Sequence, residues 1–166
     1  MLIHSNYIGL LYIMKTIIMD SGEGGYDFIK KMKKQINIEI YFLKISNKGK
    51  MISDYNKEYT RKYLLQKINN ISETNSRFII IACHSASSCI LDILIKNNFV
   101  INNINIFEPI LPMCLYIKEK KYKKILILST KLTEKIRWHY RLLNSNDIQV
   151  KYITFPLLPK IIENKG

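Results

Sequence analysis

Two short polar segments of this sequence carry the residue types that could do chemistry. Asp20–Gly25 supplies a carboxylate, a hydroxyl and three glycines, whose flexible backbone can let amide groups approach an anion. Ala82–Ala86 supplies a thiol, an imidazole and a hydroxyl. Each segment follows an aliphatic run and precedes a helical pattern, so both are expected at the carboxyl ends of parallel strands, where α/β sheets bind ligands. The sequence therefore predicts a thiol that faces an anion-binding loop.

Cys83 is the strongest candidate for a reactive group. It lies between a strand and a helix, where the N–H groups of the helix N-terminus lower a thiol pKa from its usual value of about 8.5. The alternative is a small buried packing residue, which is a common role of free cysteine. His84 could polarise a substrate or pair with the thiol, or be only a hydrogen-bonding neighbour. Ser85 could donate to a carboxylate or cap the helix, and these two polar neighbours favour the functional interpretation of the thiol.

The first segment supports ligand binding without nucleotide binding. Asp20 could accept a hydrogen bond from a substrate ammonium group or orient a proton carrier, and its commoner alternative is a turn or cap residue. The glycines match neither GxGxxG nor GxxxxGK[ST]. The three cysteines include no CxxC or paired Cys/His spacing, so the sequence predicts no zinc site, no disulfide framework and a reduced, cytoplasmic setting.

Composition indicates a globular protein of one domain or slightly more. The chain has 166 residues, 48% of them hydrophobic, and a formal net charge of +13. Lysine, isoleucine, asparagine and tyrosine are all abundant and all have AT-rich codons, so we attribute the charge to genome composition. We expect no nucleic-acid partner, although a basic nucleic-acid-binding protein stays as the third-ranked alternative. The apolar run Leu2–Met14 is too short to span a membrane, and Met14 is an alternative start.

Periodicity predicts strands that alternate with helices. The fold class is therefore α/β, with a mostly parallel sheet flanked by helices. Residues 1–13 are expected to form an N-terminal extension, 14–110 a first lobe, and 111–166 the beginning of a second lobe, with the break marked by Pro109 and Pro112. Strands are predicted at Thr16–Met19, Ile38–Leu43, Phe78–Ile81, Ile104–Phe107, Lys124–Leu128 and Gln149–Thr154. Helices are predicted at Tyr26–Gln35, Lys57–Ile71, Ser87–Asn97, Leu111–Lys121, Thr133–Leu143 and from Leu158, with Phe28, Ile29, Met32, Tyr63, Leu64 and Ile68 facing inward.

The two polar segments resemble those of a known family. Met19–Gly25 is similar to the Asp-Ser-Gly-x-Gly-Gly signature of glutamate racemases, which belong to the aspartate/glutamate racemase superfamily. Ile80–Ser87 resembles the Ile-Ala-Cys-Asn-Thr-Ala-Ser segment of that family. Three further fragments resemble family segments in the same order: Phe107–Pro109, Ser129–Thr133 and Phe155–Glu163. The resemblance runs from about Met14 to the last residue and implies a racemase-like α/β fold.

The resemblance also implies a reaction and a site. Glutamate racemases invert the α-carbon of glutamate without a cofactor or metal, using one cysteine on each face. Cys83 matches the cysteine that removes the proton, and Asp20, Ser21 and Ser85 match residues that contact the substrate. His84 stands where the family has asparagine and is expected to contact the substrate too. The expected protein is a cytoplasmic isomerase that supplies D-glutamate for peptidoglycan, without a membrane partner, with a homodimer as a further expectation.

This sequence departs from the family pattern in ways that bear on activity. The second family cysteine lies in Gly-Cys-Thr-His-Tyr-Pro, beyond the equivalent of Gly166, so the sequence corresponds to the N-terminal part and impaired activity is expected. Lys50–Ile52 stands near the place of the family's Pro-Tyr-Gly. Cys89 and Cys114 are expected to be packing residues. A single thiol could exchange the α-proton on one face without inverting the centre, and the alternative is an inactive remnant that only binds or has a structural role.

Overall fold

The computed structural model describes residues 15–36, 38–46, 50–144, 148–155 and 161. The predicted extension at residues 1–13 lies outside them, as does most of the helix predicted from Leu158. The strands are β1 (Lys15–Asp20), β2 (Glu39–Lys44), β3 (Ser76–Ile81), β4 (Val100–Ile101), β5 (Ile104–Phe107), β6 (Lys124–Ser129) and β7 (Gln149–Thr154). The helices are α1 (Gly24–Lys33), α2 (Lys57–Ser72), α3 (His84–Lys96), α4 (Ile110–Glu119), α5 (Lys131–Ile136) and α6 (Trp138–Leu143), with a 3-10 turn at Ile52–Asp54.

The strands form two sheets, and the larger one has β3 at its centre with β1 beside it. Its order is β2-β1-β3-β5-β4, and every pairing is parallel except that of β4 with β5. In this sheet Met19 pairs with Leu43 on one side and with Ile81 on the other. The second sheet consists of β6 and β7 in parallel. The predicted α/β class with a mostly parallel sheet is confirmed, whereas the division into lobes at residue 110 stays a prediction.

Burial of the central strands fixes the position of α3. Ile79 and Ile81 are fully buried, as expected of a parallel strand that is covered by helices. Ile90 of α3 belongs to the same core cluster, together with the predicted inward residues Leu64 and Ile68 of α2. A second cluster is centred on α4 and includes Leu91, Ile110, Cys114, Ile117, Leu143 and Ile148. Helix α3 therefore contributes to both core clusters.

The helix predicted at Thr133–Leu143 is two helices. Arg137 separates them in the left-handed conformation, with φ 59° and ψ 37°. Nothing in the local sequence signals this break, because neither glycine nor proline is present. The arginine guanidinium lies 4.7 Å from the centre of the Tyr140 ring, a cation–π contact that offsets part of the roughly 1–2 kcal/mol that a left-handed residue costs.

Two further sequence predictions differ from the structure. The short hairpin of β4 with β5 was not predicted, although Asn102 and Asn103 both have positive φ, as two-residue hairpin turns require. Phe28 was predicted to face inward but is 39% exposed. Helix α1 contacts the sheet mainly through its first turn, where Tyr26 packs on Phe42, and its later turns are largely exposed. In the part of the chain that the structure describes, no helix has the length and apolar character needed to cross a membrane.

Candidate active site

The structure brings the two polar segments together. Because β1 and β3 are adjacent and parallel, their carboxyl ends meet at one edge of the sheet. There the hydroxyl oxygen of Ser21 lies 3.4 Å from the sulfur of Cys83. Asp20 is held beside them, since its Oδ1 accepts hydrogen bonds from the N–H groups of Ser21 at 2.6 Å and Gly22 at 3.3 Å. The predicted meeting of a thiol with the carboxylate loop is thus present.

Cys83 is partly exposed and sits at the cap position of α3 with extended backbone angles. The pKa of its thiol is raised, first by burial and then by the nearby carboxylate of Asp20. The hydroxyl of Ser21 and the N–H groups of Ala86 and Ser21 act in the opposite direction. The helix terminus therefore favours the thiolate, as the sequence predicts, but loss of solvent outweighs it. Without a further positive charge the thiol is protonated at neutral pH.

The imidazole of His84 packs against a second histidine. Its ring stacks on that of His139, with the ring centres 5.8 Å apart and the planes tilted by 18°. Burial lowers the pKa of His84. His139 is fully buried, and burial together with His84 lowers the pKa of His139 to about 4. Both rings are therefore neutral near pH 7, so His84 can offer a neutral hydrogen bond rather than a positive charge.

Ser85 joins the site to the start of α5. Its hydroxyl lies 2.8 Å from Oγ1 of Thr130 and 3.2 Å from Oγ1 of Thr133. Thr130 caps α5, because its Oγ1 accepts a hydrogen bond from the N–H of Thr133. The structure thus places Ser85 in a cluster of three hydroxyl groups. Ser129–Thr133 resembles a family segment, but Thr130 and Thr133 are not among the site residues that the sequence predicts.

Gly25 of the first segment is required for close packing. Gly24 and Gly25 form the first turn of α1, next to Asp20. A Cβ atom on Gly25 would lie 2.4 Å from Cε2 of Phe42 and 2.7 Å from Cβ of Asp20. Only glycine allows the helix to approach Asp20 so closely. This requirement differs from the flexible anion-binding loop that the sequence suggested.

The other two cysteines lie away from solvent. Cys89 belongs to the main core and Cys114 to the second core cluster. Burial raises the pKa of Cys89 to about 12 and that of Cys114 to about 11. Both are therefore packing residues, as predicted. Within the described ranges, no group of three His, Cys, Asp or Glu side chains is arranged to hold a metal ion.

The local geometry suits proton transfer at a bound polar molecule. A thiol is the group that can gain or lose a proton, and Asp20 supplies a fixed negative charge beside it. The hydroxyls of Ser21 and Ser85 are donors and acceptors from two different elements. Such an arrangement can hold an ammonium group near the carboxylate while the thiolate acts as a general base.

Comparison with known proteins gives matches at the level of structure. No protein-family model matches the sequence, and no curated protein matches it. The fold matches the glutamate racemase of Aquifex pyrophilus with a TM-score of 0.74 and 25% identity, over 89% of this chain and 57% of that one. For the glutamate racemase of Campylobacter jejuni the TM-score is 0.75 and the identity 24%, over 92% of this chain and 61% of that one. For the glutamate racemase of Francisella tularensis, solved in complex with D-glutamate, the TM-score is 0.75 and the identity 17%, over 92% of this chain and 57% of that one.

These structural matches agree with the sequence motifs, both in the fold and in the part of the racemase chain that is covered. The chain spans little more than half the length of the racemases that it matches, at 57% of the Aquifex pyrophilus protein. That share is consistent with the N-terminal part that the order of the motifs predicts. The described chain has the α/β fold of glutamate racemases over this part of their length.

Proposed function

We propose that this chain carries the first half of the catalytic site of a glutamate racemase, with Cys83 as the base that removes the α-proton. The observation that supports the proposal most directly is the 3.4 Å approach of Ser21 to the Cys83 sulfur, beside Asp20, in a chain with the glutamate racemase fold. Glutamate is the proposed substrate because the matched enzymes are glutamate racemases, one of them solved with D-glutamate.

The raised pKa of Cys83 suggests how substrate binding would prepare the base. Asp20 is one of the two causes that hold this pKa up. An ammonium group that binds next to Asp20 would neutralise the carboxylate and add a positive charge near the sulfur. Both changes favour the thiolate. The thiol would then lose its proton mainly when an amino acid occupies the site, and it would be protected from other reactions when the site is empty.

The remaining polar groups would hold the substrate and stabilise the carbanion. We assign Ser21 and Ser85 to the substrate carboxylates, because their hydroxyls can donate hydrogen bonds from the two sides of the site. His84, neutral and partly buried, is proposed as a further donor. Fixed donors of this kind, in a site with little water, are the main stabilisation available to a developing negative charge.

Isotope exchange at the α-carbon tests this proposal. The chain is incubated in deuterium oxide with L-glutamate or D-glutamate, and loss of the α-proton signal is followed by NMR. We expect slow exchange of one enantiomer without inversion, because only one thiol faces the proposed substrate. Cys83→Ser should abolish the exchange, whereas Cys114→Ser, which changes a buried thiol in the second core cluster, should retain it.

Two results would contradict the proposal. One is exchange that persists in Cys83→Ser, and the other is its absence from the unmodified chain even at high pH, where the thiolate is populated. The second result, together with measurable glutamate binding, would favour a chain that binds without catalysing. The raised pKa of the Cys83 thiol is the observation that favours this second candidate function, binding without catalysis.

The physiological role is proposed on the same basis. We propose that the enzyme to which this chain corresponds acts in the cytoplasm and supplies D-glutamate for peptidoglycan and the cell wall. Growth of a bacterial strain that requires external D-glutamate, after introduction of the gene, is the test. Rescue that is lost with Cys83→Ser supports the role, and growth that is independent of Cys83 contradicts it. A homodimer stays a prediction, which light scattering of the purified chain would check.

A further inference from the structure

A large cavity lies between α4 and β6 and reaches Ser85 at the start of α3. Its volume is about 670 Å³, and its wall is mainly hydrocarbon. His84 and Ser85 line one end of it, so the cavity adjoins the proposed substrate site, whereas neither Cys83 nor Asp20 is among the described residues that line it. The wall is formed by side chains of α3, α4, β6 and α6, among them Met113, Ile117, Leu126, Leu128, Ser129 and His139.

Two polar atoms in this wall are buried without a partner. They are Nε2 of His139 and Oγ of Ser129, and neither has a hydrogen bond to any residue in the described part of the chain. A buried donor without a partner loses its hydration and gains nothing in return, so such atoms are rare in native proteins and call for an explanation. Both of them line the same cavity, and a bound molecule with a hydrogen-bond acceptor would satisfy them.

The hydrogen-bond network around His139 defines what Nε2 offers. The hydroxyl of Tyr152 lies 3.3 Å from Nδ1 of His139, and it also accepts a hydrogen bond from the N–H of Tyr140. It accepts from the backbone N–H of His139 as well, so both of its lone pairs are engaged and its own hydrogen is left for Nδ1, which accepts it. A neutral imidazole with an acceptor at Nδ1 carries its proton at Nε2. The unpaired atom is thus a donor, and it needs an acceptor from the ligand.

We propose that this cavity binds a small, uncharged, largely apolar molecule that carries an oxygen acceptor at one end. The hydrocarbon of α4 and β6 would cover the apolar part. Nε2 of His139 and the hydroxyl of Ser129 would meet the oxygen. No Lys, Arg, Asp or Glu side chain is among the described residues that line the cavity, so a charged ligand would lose its hydration without a partner.

A polypeptide strand is the other occupant to consider, because β6 pairs only with β7 among the described strands. A strand added to β6 would bond to its backbone. The unpaired atoms here belong to side chains, one of them on α6 rather than on the strand. This observation favours the small molecule, and strand binding becomes an outcome that the test can show.

Two probes that differ in one group test the proposal. Acetophenone and ethylbenzene have similar size and shape, but only acetophenone carries a carbonyl oxygen. Each is titrated into the chain while backbone amide signals are followed by NMR. We expect both to shift signals of β6 and α6, with acetophenone binding at least about fivefold more tightly, because its oxygen relieves an unpaired donor.

Variants show whether the two side chains cause that preference. Ser129→Ala and His139→Phe each remove one donor, and the preference for acetophenone should fall towards one in at least one of them. Ser88→Ala is the matched control, because Ser88 Oγ is also buried and unpaired but Ser88 is not among the residues that line the cavity. If His139→Phe does not fold, Ser129→Ala decides alone, and an unchanged preference there overturns the assignment.

Three other results would overturn the proposal. The first is equal binding of the two probes to the unmodified chain, and the second is signal shifts that lie away from β6 and α6. The third is failure of both probes to bind while an extended apolar peptide shifts the signals of β6. That last result would identify the cavity as a place for an added strand. None of these outcomes depends on glutamate exchange, so this inference and the proposed function can fail separately.

Discussion

The hydroxyl of Ser21 lies 3.4 Å from the sulfur of Cys83, although 62 residues separate them along the chain. The parallel pairing of β1 with β3 produces this approach, because it sets the ends of both strands at one edge. Asp20 adjoins the same sulfur but has the opposite influence on it. The hydroxyl lowers the thiol pKa, whereas the carboxylate raises it.

Asp20→Asn and Ser21→Ala should therefore shift the pKa of Cys83 in opposite directions. Asn keeps an oxygen for the N–H groups of Ser21 and Gly22 but removes the charge that raises the thiol pKa, so this pKa should fall. Ala removes the hydroxyl, so the pKa should rise. The pH dependence of Cys83 alkylation, resolved from the other cysteines by peptide mass spectrometry, gives both values. Shifts of the same sign would contradict the argument.

Gly25→Ala should destabilise the fold, whereas Gly24→Ala should not. A Cβ atom on Gly25 would collide with the Phe42 ring and with Asp20, and forcing extra atoms into a packed site costs about 1–3 kcal/mol. On Gly24 the nearest atom is 3.4 Å away, and alanine suits a helix better than glycine, so stability should stay within about 1 kcal/mol. Urea denaturation of both variants measures the difference, and equal midpoints would exclude the close packing described here.

Stability should fall in acid because of His139. Its pKa is lowered from 6.5 to about 4 in the folded chain, so the folded state resists protonation that the unfolded state accepts. The contribution of His139 to the free energy of unfolding is fully present above about pH 6.5. It is lost as the pH falls towards about 4, by up to about 3 kcal/mol. His84, whose pKa is also lowered, adds a loss of the same sign.

His139→Phe isolates this contribution. Phenylalanine keeps a ring beside His84 but cannot be protonated, so the free energy of unfolding should depend less on pH between about pH 6.5 and about pH 4. Urea denaturation at several pH values measures the slope for the parent and the variant. An identical slope would show that the acid sensitivity arises elsewhere, for example from carboxylates.

Glu108 should stabilise the start of α4. Its carboxylate is buried and accepts hydrogen bonds from the N–H groups of Ile110 at 2.6 Å and Leu111 at 2.8 Å. Glu108→Ala leaves both donors unpaired and should cost about 1–3 kcal/mol. Glu119→Ala, at the exposed end of the same helix, should cost nothing measurable. Thermal or urea unfolding compares the two, and equal losses would contradict the capping role.

Local sequence patterns sufficed to place Cys83 and the first loop at the same edge of the sheet. The aliphatic runs before Asp20 and before Cys83 predict buried strands, and parallel strands end at one edge of a sheet. That β1 and β3 are neighbours, so that the two ends meet, comes from the structure. The hydrogen bond between the hydroxyls of Ser85 and Thr130 could not be predicted in the same way. It joins residues 45 positions apart, one in the first turn of α3 and one at the N-cap of α5, and each of them has an equally good local role as a helix cap.

The raised pKa of the Cys83 thiol could not be predicted from the sequence either. Its pKa depends on how much water the fold removes and on how close Asp20 comes, and both follow from packing rather than from residue type. The helix break at Arg137 has the same origin. A left-handed arginine has no local signal and is tolerated because Tyr140 and the surrounding core compensate for it.

The strand β6 has a consequence for handling the protein. Leu126 and Leu128 are 54% and 59% exposed on this strand, and among the described strands β7 is its one neighbour. An apolar strand with an open edge recruits strands from other molecules, so it is an aggregation hazard. We expect the yield of refolded, monodisperse chain to fall as its concentration rises, and a charged residue at position 126 or 128 to restore solubility.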